Sequence, residues 1–162
     1  MKRVILFSAL VFALVFSSGI LQSQQLTVQT DFGKQVVLSR ADLEALPHVK
    51  VRVSEHSSGL VLFEGVPLKS VLEKAGVSFG ESMKGKGLSN CLLVEAADGY
   101  RAVIALPELD PAFTDKQTLL AFLRDGKPLG DKEGPYRIVI PDEKRIARWV
   151  RQVTTLKIVD VQ

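Results

Sequence analysis

Arg148 and Arg151, with Trp149 between them, are the residues of this chain best suited to hold a charged ligand. Each guanidinium offers a planar fork of donors that matches phosphate or carboxylate oxygens. The apolar segment GPYRIVIP, residues 134–141, ends at a proline shortly before them, and the apolar segment TTLKIV follows them. The arginines are therefore expected in a turn between two strands, at the mouth of a sheet, where both can face one anion. The competing reading of Lys144, Arg145, Arg148 and Arg151 is a solvated basic face.

Other reactive side chains are few. His48 follows Pro47 at a helix end, where an exposed or capping role is expected. His56 lies in the polar loop EHSSG beside Ser54, Ser57 and Ser58. It is open to two readings, a donor, base or ligand facing a pocket, or a solvated loop histidine. The serines lack a G-x-S-x-G elbow and a placed base, so a hydrolase is not indicated. No histidine or cysteine cluster has zinc-ligand spacing. The glycines of GKGLSN, residues 85–90, neither follow a strand nor open a helix, so they are not a dinucleotide fingerprint.

The elements that must position these residues are short. Segments 26–30 and 35–38 read as a hairpin. Ser39 caps a helix over 40–46, with Asp42 in its first turn and Pro47 ending it. Val49, Val51 and Val53 alternate with polar residues as in a half-buried strand, and 60–63 is a second strand. Residues 65–68 open a helix with Pro67 in its first turn, an apolar stripe at Leu68, Val71, Leu72 and Ala75, and an end at Gly76. Residues 78–89 form a surface loop. Strands over 91–96 and 100–105 flank the turn signal Asp98-Gly99. A helical turn at 107–109, strands at 119–123 and 136–140, and a last strand at 156–161 that closes the sheet complete an α+β domain with a mixed sheet and short helices.

Bulk properties narrow the setting. Lys2 and Arg3 precede an apolar run over 4–16 and the small residues Ser17, Ser18 and Gly19. That order is the signature of a secretory leader, taken here as residues 1–23, with a single domain over 24–162. The run is shorter than the roughly 20 residues of a spanning helix, so no stable membrane insertion is expected after cleavage. Removing Lys2 and Arg3 from the 21 basic residues leaves 19 against 18 acidic ones. A nearly balanced, exported chain, periplasmic or extracellular, is a poor candidate for nucleic acid. Cys91 is the only cysteine, so no internal disulfide forms; within the run CLLV it is expected to be a small buried strand residue.

Several segments, in order, carry a resemblance. They are the opening segment, FEGVPLKSVLEKAG at 63–76, ADGYRAVIAL at 97–106 and TLLAFLRDGKPL at 118–129, ending in GPYRIVIP and the arginine turn. Together they resemble the molybdopterin-binding domain of the sulfite oxidase family, over most of residues 24–162. The resemblance implies an α+β fold and a pocket for a pyranopterin phosphate. It implies that Arg148 and Arg151 hold the pterin, that Gly134 and Pro135 let backbone approach it, and that Tyr100 and Arg101 form part of the wall. The loop carrying Ser54 and His56 would face the metal.

Two departures bear on activity. Family enzymes bind molybdenum through a cysteine upstream of the glycine that corresponds to Gly65. Counting back here reaches Val53 and Ser54, and no cysteine lies between Gln22 and Asn90. A thiolate is the soft ligand such a site needs. Glu133 also stands where a histidine often precedes the glycine matched by Gly134, and it brings negative charge to an anion site. No metal ligand and no catalytic residue is therefore assigned. Two readings follow, a periplasmic molybdopterin-dependent oxidoreductase-family domain, or a non-catalytic cell-envelope module binding a pterin or another small anion. The missing cysteine favours the second.

Overall fold

The computed structural model describes residues 24–30, 33–55 and 59–161. The leader reading and His56, Ser57 and Ser58 lie outside the described residues.

Two five-stranded sheets share one apolar core. The first is built from β1 (Leu26–Gln29), β2 (Gln35–Leu38), β5 (Asn90–Ala96), β6 (Arg101–Ala105) and β10 (Val153–Asp160) in the order β2-β1-β10-β5-β6. β10 runs parallel to β1, with Val28 opposite Leu156, and antiparallel to β5. The second contains β3 (Val49–Glu55), β4 (Gly59–Pro67), β7 (Leu119–Arg124) and β8 (Lys127–Pro128), with β9 (Arg137–Val139) also paired to β7. The fold is thus α+β and mostly strand, but its strands form two sheets where the sequence suggested one. β10 is an interior strand that starts at Val153, not an element that closes an edge. Val153, Leu156 and Ile158 on one face of it are buried, which gives both neighbours a core to pair over.

The two helices are short. α1 (Arg40–Glu44) starts at a capping box in which Ser39 and Asp42 exchange hydrogen bonds, as the sequence implies. Its Arg40 guanidinium lies 4.3 Å from the Phe122 ring, so α1 covers a face of β7 whose Leu119, Leu120, Ala121 and Phe122 are all buried. α2 (Leu68–Lys74) buries Leu68, Val71 and Leu72. Pro67 is not in its first turn: β4 runs through Pro67, which pairs with Leu119, and the helix begins one residue later. Leu68 N–H donates to Thr118 O at 2.9 Å, so a pairing with β7 holds the chain extended up to this point.

Cys91 is half-buried. Its neighbours Leu92 and Val94 take the core face of β5, so strand alternation turns Cys91 outward.

Candidate functional site: a cavity lined from both sheets

Residues 140–152 connect β9 of one sheet to β10 of the other, so the arginine turn bridges the sheets instead of sitting at the mouth of one. A cavity of about 400 Å³ opens beside it. β3 contributes Glu55, β7 contributes Arg124 and β9 contributes Arg137, with Glu133 just before β9. The β5–β6 turn adds Asp98 and Tyr100, and the bridging segment adds Ile146, Trp149 and Arg151.

The floor is a closed ring of alternating charges. Arg137 Nη2 donates to Glu55 Oε1 at 2.6 Å, and Arg124 Nη2 meets Glu55 Oε2 at 2.8 Å. Both guanidinium groups also reach Glu133 Oε1, Arg124 at 2.8 Å and Arg137 at 2.9 Å. Arg137 and Glu55 are buried, which is tolerable because each charge has two opposite partners with hydrogen-bond geometry. The Arg137 guanidinium also lies 5.1 Å from the Phe63 ring and 5.6 Å from the Trp149 ring. Those rings meet edge to face at 6.3 Å. Arg137 Nε is buried with no hydrogen-bond acceptor among the described residues.

Local sequence explains each placement. β3 alternates so that Val53 and Glu55 are buried while Ser54 is exposed. Arg124 is the last residue of β7 before the Asp125-Gly126 turn, whose φ values of 50° and 76° are those of a tight hairpin turn. Arg137 is set by the pairing of β9 with Ala121 on β7.

Of the residues singled out in the sequence, Arg151 and Tyr100 are brought together at this cavity. Arg151 is exposed and has no ion pair among the described residues. Tyr100 donates its hydroxyl to Ala147 O at 2.7 Å, which fixes the ring against the bridging segment. Arg148 faces elsewhere. Its Nε donates to Glu143 Oε1 at 2.8 Å, Nη2 contacts Glu143 and also Glu108 at 3.3 Å, and Nη1 reaches Val103 O at 3.4 Å. Burial alone would lower the Arg148 pKa, but its bonds to Glu108 and Glu143 outweigh that and raise it. Arg101 is paired with Glu95 at 2.9 Å on the exposed face of β6. Gly134 and Pro135 line a separate depression with Gln24 and Leu129, and Ser54 faces solvent.

Glu55, Arg124 and Arg137 carry the site; the two arginines are absent from the sequence reading, and Glu55 enters it only as the first residue of the polar loop EHSSG, whereas it is the last residue of β3. One signal for them existed. Glu55 continues the inward parity of Val49, Val51 and Val53, and Arg137 interrupts an apolar run, so both were charges due for burial and in need of partners.

Comparison with known proteins places this architecture. The family model described as oxidoreductase molybdopterin binding domain matches residues 19–162. No curated protein sequence matches the chain. Among solved structures, the sulfane dehydrogenase SoxCD from Paracoccus pantotrophus shares the fold with a TM-score of 0.65 at 20% identity. The likeness covers 85% of this chain and 38% of that one, so the chain spans well under half of that neighbour's length. Matched over nearly all of its residues, with a neighbour of the same fold, the chain belongs to the sulfite oxidase-type oxidoreductase molybdopterin binding domain family.

Proposed function

We propose that this chain is an exported, non-catalytic binding module of its family, holding a small anion or the anionic end of a pterin at Arg151. The observation that carries the reading is the direction of the β3 side chains. At the positions reached by counting back from Gly65, Val53 is 7% exposed within the core and Ser54 faces solvent. The residue that does enter the cavity, Glu55, is shared between two arginines.

Molybdopterin is the cofactor its family implies, and its two ends fit differently. The metal end needs a soft thiolate. The sole cysteine, Cys91, lies five residues along β5 from Ala96 at the cavity end, roughly 17 Å at strand rise, and faces outward. A carboxylate committed to two guanidinium groups does not replace a thiolate, so the metal end does not fit and no chemical step is derived through it. The anionic end finds a guanidinium without an ion pair, Arg151, beside the aromatic walls of Tyr100 and Trp149.

Export rests on Lys2, Arg3, the apolar run over 4–16 and the small residues after it. No helix among the described residues is long and apolar enough to cross a membrane.

The test is to purify the protein from a cofactor-sufficient host, exported through its own leader, and to measure molybdenum by elemental analysis and pterin by fluorescence after oxidation. Pterin or another anion without metal is expected. Stoichiometric molybdenum would overturn the reading.

A further inference from the structure

We infer that the ligand of this cavity is a small organic monocarboxylate and not a phosphate dianion; the inference rests on the reading of Arg151 as the anion contact. Charge balance carries it. Glu55, Arg124, Glu133 and Arg137 neutralise one another in a closed ring, so the floor presents no net positive charge. Above it, Arg151 has no ion pair among the described residues, and it shares the lining with Asp98. Their chain neighbours are joined, since Ala97 N–H donates to Gln152 O at 3.0 Å. The Asp98 carboxylate is oriented by Tyr100 N–H at 2.9 Å.

One carboxylate is matched by one guanidinium, two oxygens to two N–H groups. A dianion brings a second negative charge that meets no second free cation and faces Asp98 instead, and such like-charge contact is how sites reject near-analogues. The rest of the wall is Tyr100, Ile146, Trp149 and Val150, which suits an apolar or aromatic body. At about 400 Å³ the cavity is near the lower end of the roughly 300–1,000 Å³ of small-molecule sites. That selects an acid with a single ring or a short chain.

The exported protein can be titrated calorimetrically with 3-phenylpropionate, its uncharged amide and phenyl phosphate, with melting temperatures recorded alongside. The acid should bind one to one and raise the melting temperature, with its amide and phenyl phosphate each weaker by roughly tenfold. Arg151→Gln should weaken the acid by a similar factor without changing the melting temperature of the ligand-free protein. Asp98→Asn should narrow the gap between the acid and the phosphate.

Phenyl phosphate or the amide binding as tightly as the acid would overturn the inference, as would an acid titration unchanged in Arg151→Gln. A pterin phosphate bound through Arg151 in preference to the acids would overturn the monocarboxylate assignment while leaving the binding-module reading in place. A folded protein that takes no anion of any kind would remove both.

Discussion

Glu55 and Arg137, 82 residues apart in the chain, meet at 2.6 Å with side chains 5% and 3% exposed. The contact ties β3 to β9, two strands that are not neighbours in their sheet, and anchors the floor of the cavity. Removing one partner of a buried ion pair leaves an uncompensated charge. Glu55→Gln is therefore expected to destabilise the fold by about 3–5 kcal/mol. The urea midpoint reports this, and an unchanged midpoint would show that the ring contributes nothing to stability.

Gly65 pairs with Ala121 where the β4–β7 ladder shifts register. A Cβ there would sit 2.2 Å from Leu120 O and 2.6 Å from Ala121 Cα, both backbone atoms that cannot move aside. Gly65→Ala should cost about 1–3 kcal/mol or more, seen as a lowered melting temperature in calorimetry. An unaltered melting temperature would mean that the two strands separate without penalty.

Arg148 and Arg151 should part company on substitution. Arg148→Ala strips partners from Glu143, whose Oε2 is already buried without a hydrogen bond, so a loss of about 1–3 kcal/mol is expected. Arg151→Ala touches an exposed side chain with no ion pair among the described residues and should change stability by less than about 0.5 kcal/mol. Denaturant unfolding of both variants makes the comparison, and equal effects would contradict the division of roles.

Asp110 pins the loop before β5. Its carboxylate accepts Gly80 N–H at 2.6 Å and Ala112 N–H at 3.1 Å, and the Gly80 bond above all holds its pKa below the ordinary 3.8. A pKa depressed in the folded state stabilises above the unfolded value, and that contribution is lost as pH falls through the folded one. Stability should therefore decline on acidification below about pH 4. Asp110→Asn should flatten this acid limb in melts run across pH, and an identical limb in the variant would exclude Asp110 as its source.

Tyr136 governs the opposite end of the pH scale. Burial pushes its hydroxyl up to about 12, and the hydroxyl donates to Gln24 O at 2.7 Å. The folded state therefore holds this proton more tightly than the unfolded chain. Its contribution is complete below pH 10 and is lost as pH rises toward 12. Ultraviolet titration should show Tyr136 ionising only with unfolding, and Tyr136→Phe should remove that late step while costing about 1 kcal/mol at neutral pH.

Legibility in the sequence followed the range of the forces involved. The Ser39 cap, the Asp98-Gly99 hairpin and the stripe of α2 were readable because each rests on groups within a few residues of one another. The division into two sheets was not, since apolar alternation states that a strand has a buried face but not which strand covers it. Arg148 and Arg151 looked equivalent by type and spacing, yet one is claimed by Glu143 and Glu108 while the other reaches the cavity.

By itself, the sequence determined the strands other than β8, the family and the lack of a cysteine where its metal ligand would stand. Tertiary structure alone decided which charges meet. Glu55, Arg124 and the Glu133–Arg137 pair come from three separate segments, and only the packing of β3, β7 and β9 brings them within hydrogen-bond distance. A charge finds its partner through space and not along the chain, and for that reason the cavity's neutral floor and its remaining cation, Arg151, became visible only in the fold.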